Sequence, residues 1–183
     1  MELKAETFLL RKMKKEDTVS FAKHANNPKV FENLRDRFPH PYAEANAEKF
    51  YDFVMNSPEP QTNFIIDVDG EAIGTVHIFL KDDVYRKSCE LGYWIGEDFW
   101  GRGIMSKAVK MVVDYAFATF DVNRVYATPF STSLGSMKVL EKAGFKKEAV
   151  LKNAVFKNGK LLDEHIYTIH KEEMGESNAE EKN

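Results

Sequence analysis

One cysteine, few prolines and no long apolar run set the first limits on this 183-residue chain. With Cys89 alone there is no internal disulfide, and a lone thiol in such a chain reads as a small core residue of a protein kept in a reducing compartment. No apolar stretch approaches the roughly 18 residues that span a bilayer. The start Met1-Glu2-Leu3-Lys4 has no signal-peptide character, so the expectation is a soluble, cytoplasmic protein with no membrane partner. Positive charge is not in excess either. The 26 lysines and arginines against 29 acidic residues leave a net charge of −3, which gives no general hold on nucleic acid, so none is expected as a partner. Five histidines, at 24, 40, 77, 165 and 170, fall in no metal-ligand spacing and have no cysteine cluster beside them, so no metal is expected.

What the chain does have is enough apolar content, 43%, to bury one core without staples. Strand-like and helix-like segments alternate with no internal repeat and no long linker. The expectation is one domain over 1–171, followed by a polar, fraying tail over 172–183. A first strand is expected from Phe8 to Met13, and a helical region from Lys15 to about Leu34, interrupted near Asn27-Pro28. Ala43 to Met55 carries apolar residues at the spacing of one buried helix face. Between these helices the two prolines of Arg35-Asp36-Arg37-Phe38-Pro39-His40-Pro41-Tyr42 forbid a helix interior. That loop reads either as the lining of a substrate mouth or as a rigid connector with Tyr42 packed as a plug.

The centre reads as antiparallel sheet. Phe64 to Val68 and Ala72 to Leu80 flank the hairpin turn Asp69-Gly70. Cys89 to Ile95 is the next strand, and Gly92 within it predicts a bulge or a close backbone approach. Arg124 to Thr128 is a further strand, then a helix from about Ser133 to Ala143 stopped by Gly144-Phe145. A terminal hairpin turns at Asn158-Gly159.

The stretch Trp100-Gly101-Arg102-Gly103-Ile104-Met105-Ser106 joins a strand to a long amphipathic helix. Two glycines one residue apart let the backbone turn tightly, and the free N–H groups of the helix start point along a favourable dipole, which is the chemistry of a phosphate cradle. It is not a P-loop, because Ile104 and Met105 stand where Lys and Ser/Thr are needed. It is not a dinucleotide fingerprint, because the third glycine falls at Ser106. A tight strand-to-helix turn that binds nothing is the equal alternative on these residues alone.

Taken in order, Glu90-Leu91-Gly92-Tyr93-Trp94-Ile95, Trp100-Gly101-Arg102-Gly103-Ile104 and Val139-Leu140-Glu141-Lys142-Ala143-Gly144-Phe145 resemble the GNAT superfamily of acetyl-CoA-dependent N-acetyltransferases. The resemblance runs from Phe8-Leu9-Leu10-Arg11 to Ile166-Tyr167-Thr168-Ile169. Together with Pro39-His40-Pro41-Tyr42 it is similar to the branch holding the ribosomal-protein N-terminal acetyltransferases. The implied architecture is α/β (α+β), a mostly antiparallel, twisted, mixed sheet of about seven strands flanked by about four helices.

The resemblance also implies an activity and a site. The reaction would move an acetyl group from acetyl-CoA, a cosubstrate, to a primary amine by direct attack in a ternary complex, in a monomer or homodimer. The acceptor is a small molecule or, by the branch resemblance, a protein or peptide N-terminus. The cosubstrate would lie on the cradle from Trp100 to Ser106, along the backbone of Tyr93, Trp94 and Ile95, and against Ser133, which stands where the family commonly has an asparagine. Glu90 would take the amine's proton, with Asp163 and Glu164 as alternatives. Many members place a tyrosine at the position of Leu140 to protonate the leaving thiolate; here the branch's serine, Ser136, would serve, its alternative being a helix cap. Leu140, Ser133 and Asp98, where the cradle usually begins with Gln or Arg, also fit a CoA-binding sensor or scaffold that has lost catalysis.

Overall fold

A computed structural model describes residues 1–172; the expected tail over 172–183, all but its first residue, lies outside the described residues. Eight strands among the described residues form one sheet: β1 (Leu3–Lys4), β2 (Leu9–Arg11), β3 (Asn63–Val68), β4 (Glu71–Leu80), β5 (Ser88–Ile95), β6 (Arg124–Ala127), β7 (Lys146–Lys157) and β8 (Lys160–His170). Their order is β1-β2-β3-β4-β5-β6-β8-β7, antiparallel at every step except β5 beside β6. The sheet thus has one strand more than the sequence predicts, the two-residue edge strand β1.

The helices are α1 (Thr18–Ala25), α2 (Pro28–Phe31), α3 (Glu44–Met55), α4 (Ile104–Thr119) and α5 (Leu134–Lys142). The helical region expected over 15–34 is broken where Asn27 caps the start of α2 with its side chain and Pro28 supplies the first helical residue. Helices α4 and α5 bury Val109, Val112 and Leu140 on one face of the sheet with Phe64, Ile73 and Cys89. On the other face α1 to α3 bury Phe21, Ala47 and Val54 with Ile65 and Trp94. Each fully buried side chain of this kind contributes about 1.5–3 kcal/mol.

The turns follow from residue type. Asp69-Gly70 and Asn158-Gly159 take positive φ at both central positions, as two-residue hairpins require. Gly144 takes φ +94°, and the amides of Gly144 and Phe145 donate back to the carbonyls of Glu141 and Leu140, closing α5. At the other end of the sheet, buried Arg11 donates to both oxygens of Asp17 at 2.7 and 2.8 Å and to Asp67 at 2.6 Å, pinning β2 to β3 and to the start of α1.

Gly92 is where the expectation divides. The β4–β5 register runs unbroken from Gly74 opposite Ile95 to Leu80 opposite Cys89, so there is no bulge there. The close approach holds instead, since a Cβ on Gly92 would stand 2.9 Å from Cε2 of Phe79.

Candidate active site

Strands β5 and β6 start as a parallel pair and then part. They are paired at Ser88–Arg124, Cys89–Val125 and Glu90–Tyr126, after which β5 continues to Ile95 paired with β4 alone. The chain beyond β6 follows β8 instead. Phe130 bridges Glu164, the Ser131 amide donates to the Asp163 carbonyl, and the His165 amide donates to the Pro129 carbonyl. On the side away from β4, the edge of β5 over residues 91–95 therefore faces a cleft, and apart from the Ile95 carbonyl, which the Trp100 indole takes, its outward backbone groups are open to an extended ligand arm.

Period-two alternation sorts the residues of β5. Cys89, Leu91, Tyr93 and Ile95 face α4 and α5, whereas Trp94 packs in the cluster of α1 to α3. Glu90 shares the Trp94 face and looks into a cavity of about 660 Å³. This cavity lies under α3 and the proline-containing loop, and Tyr42, buried, forms part of its wall, so the loop is both lining and plug. Trp94 meets Phe21 and Phe38 edge to face there, at 4.7 and 5.8 Å between ring centres.

Among the described residues Glu90 is the cavity's one carboxylate. It is buried, and both oxygens already accept hydrogen bonds: Oε1 from Arg35, Oε2 from Lys81 at 2.8 Å. The alternatives to Glu90 lie elsewhere. Asp163 accepts from Lys152 and from the Asn153 amide, which hold its carboxyl below the usual range, and neither it nor Glu164 lines the cavity.

On the opposite face of β5 the Tyr93 phenol meets the Ser136 hydroxyl at 2.7 Å and donates to the Ser136 carbonyl at 3.2 Å. Burial pushes the Tyr93 hydroxyl up from its ordinary value, so it carries its proton at neutral pH. Ser136 is the third residue of α5, not its cap, which is Ser133. The Ser133 hydroxyl donates to Asn33 at 2.7 Å and ties α5 to the segment after α2.

Gly101 and Gly103 both have φ +75°, and beyond each glycine and its two chain neighbours no atom lies within 4 Å of the place where a Cβ would stand. The ladder of α4 begins only with the Lys107 amide donating to the Gly103 carbonyl, so the N–H groups of 103–106 precede it. Trp100 braces the turn by donating its indole N–H to the Ile95 carbonyl at 2.9 Å. The Arg102 guanidinium stacks on Phe99 at 5.0 Å, and the Ile104 and Met105 side chains enter the core, leaving only their backbone to the turn. Open space over two left-handed glycines and a run of free amides fit a pyrophosphate.

The acetyltransferase (GNAT) domain model matches residues 7–146. The chain belongs to this family. It is therefore an acyltransferase of the acetyl-CoA-dependent kind. An uncharacterized N-acetyltransferase of Bacillus licheniformis, p20, is 27% identical over 93% of the chain and 97% of its own length. The spermidine N(1)-acetyltransferase of Escherichia coli is 26% identical over 85% of the chain and 81% of its length. Among solved structures, RimL, a ribosomal-protein α-N-acetyltransferase in complex with coenzyme A, superposes with a TM-score of 0.80 at 19% identity, over 93% of this chain and 98% of that one. At that identity the likeness is one of fold. Among the described residues no helix is long and apolar enough to cross a membrane.

Three features of this family member's site escape the sequence: the Arg35 and Lys81 clamp on Glu90, the phenol of Tyr93 beside Ser136, and the aromatic cavity itself. Strict alternation along β5 is the one local signal for them, because it puts Glu90 and Tyr93 on opposite faces of the strand.

Proposed function

We propose that this protein transfers the acetyl group of acetyl-CoA to the primary amine of an acceptor seated in the aromatic cavity, by direct attack within a ternary complex. The observation that carries the reading is the parting of β5 from β6, with a carboxylate on one face of β5 and a hydroxyl pair on the other. Bound acetyl-CoA supplies the acyl group as a thioester. The amides of residues 103–106 hold its phosphates, and the free edge of Tyr93, Trp94 and Ile95 holds its arm. A backbone N–H on that edge stabilises the oxygen on which charge develops, without reorganisation. On the cavity face Glu90 receives the amine's proton, directly or through water, the amine replacing Arg35 as donor to Oε1. On the other face Tyr93 and Ser136 deliver a proton to the departing sulfur. Relatives named for spermidine and for a ribosomal protein support an amine acceptor of either kind.

The engagement of both Glu90 oxygens favours a second reading, a CoA-binding scaffold without turnover. Calorimetric titration with CoA, paired with thiol release over an amine panel, separates the two. The enzyme reading predicts CoA binding, amine-dependent release, and a fall of about 10²–10⁴-fold in kcat/KM for Glu90→Gln with CoA affinity kept. CoA binding with no release for any amine contradicts it.

A further inference from the structure

We infer that the acceptor is an amine carrying an acidic group beside an aromatic or bulky apolar body, not a polycation, an inference that rests on the acetyl-transfer reading above. Three cationic side chains, Arg35, Arg37 and Lys49, line the cavity against the single carboxylate of Glu90. That carboxylate is already matched by Arg35 and Lys81. Neither Arg37 nor Lys49 has an ion-pair partner among the described residues, and both are exposed at the mouth. The cavity therefore carries uncompensated positive charge, which attracts an anion and repels a second ammonium group.

The walls supply the rest. Arg37 lies over the Phe79 ring at 5.3 Å, and His77 stacks on the same ring at 4.1 Å and on Phe53 at 5.9 Å. His77 adds no charge, because burial and then Arg37 push it down to about 4. Its Nδ1 pairs with the Asn63 side-chain amide at 3.0 Å. An aromatic or branched side chain placed against Phe79 and Phe53 buries its apolar area and puts a neighbouring acid within the field of Arg37 and Lys49. Its amine then faces Glu90. A free amino acid meets this description with its own carboxylate, and a peptide meets it with an acidic second residue.

Binding of acetylated products in the presence of CoA tests this without needing turnover. N-acetyl-L-phenylalanine, the acetylated dipeptide amide of phenylalanine and aspartate, the neutral methylamide of N-acetylphenylalanine, and N(1)-acetylspermidine are titrated into the full chain. At least one of the two acids should bind about tenfold more tightly than the methylamide, the worth of one charge-assisted contact, and acetylspermidine should bind least. Preference for the monomer identifies free amino acids as the source, and preference for the dipeptide identifies peptide N-termini. The Arg37→Ala, Lys49→Ala double variant should bring acid and methylamide to within about twofold, as expected when the charged partners are gone. Equal or tighter binding of the methylamide or of acetylspermidine by the unaltered protein overturns the inference. Acid-selective binding with no thiol release from acetyl-CoA for any amine would leave the cavity's selectivity standing and remove acetyl transfer instead.

Discussion

The phenol of Tyr93 and the hydroxyl of Ser136 lie 2.7 Å apart across the seam between β5 and α5, on the face of β5 away from Glu90. The position where the resemblance leads one to expect a tyrosine holds Leu140, fully buried in the core. The phenol thus arrives from the strand, and the helix contributes only the serine.

If this pair protonates the departing sulfur, Ser136→Ala and Tyr93→Phe each lower kcat and kcat/KM by a similar factor, about 10²-fold, and the double variant loses little more. Steady-state kinetics of the cycle measures this. Ser136 does not cap α5, so the melting temperature of Ser136→Ala should hold. Unchanged turnover with a destabilised fold would assign the pair to packing alone.

Gly103→Glu should abolish CoA binding in a folded protein, because the new carboxylate projects into the open space over the turn. Its positive φ adds about 1–2 kcal/mol of backbone strain for any side chain. Calorimetry with CoA and with a phosphate-free pantetheine fragment checks the cause: only the first should lose affinity. Arg102→Ala should cost far less, since that guanidinium stacks on Phe99 and the proposed phosphate donors are backbone amides.

Acid should weaken the fold through His77. Burial, helped by Arg37, lowers it from its ordinary 6.5 to about 4. Between these values the unfolded chain holds a proton that the folded chain does not. The stability contributed by neutral His77 is thus complete above about pH 6.5 and is lost as pH falls towards 4, by about 3 kcal/mol. Denaturant titrations at a series of pH values should show a shallower decline for His77→Phe over that window. Parallel curves for the two proteins would contradict the assignment.

Cys89 is fully buried on β5, and burial pushes its thiol up to about 12. It should resist alkylation by iodoacetamide in the native protein at neutral pH and react fully in denaturant. Mass spectrometry of the two samples settles this; rapid native modification would show that β5 opens.

The legible parts of this molecule are those governed by local chemistry. Asp69-Gly70, Asn158-Gly159 and Gly144-Phe145 announce their turns because positive φ restricts residue choice, and Gly101 and Gly103 mark the turn into α4 for the same reason. The parallel pairing of β5 with β6 and its early end are not legible, since they depend on Pro129 and Ser131 following β8, a strand that comes much later in the chain. Glu90 could be picked out by type and motif, but not its cations: Arg35 comes from 55 residues away, and nothing local pairs them. Gly92 shows the limit from the other side. A strand glycine signals either a bulge or a close neighbour, and only Phe79 decides between them.

At the centre of the proposed mechanism is a direct transfer between two substrates held together, with no acyl group passing through the protein. Initial rates of thiol release, with acetyl-CoA and an acceptor amine varied together, test it most directly. Direct transfer predicts double-reciprocal lines that intersect and no thiol burst when the amine is left out. Parallel lines, or a stoichiometric burst of CoA without amine, would contradict it.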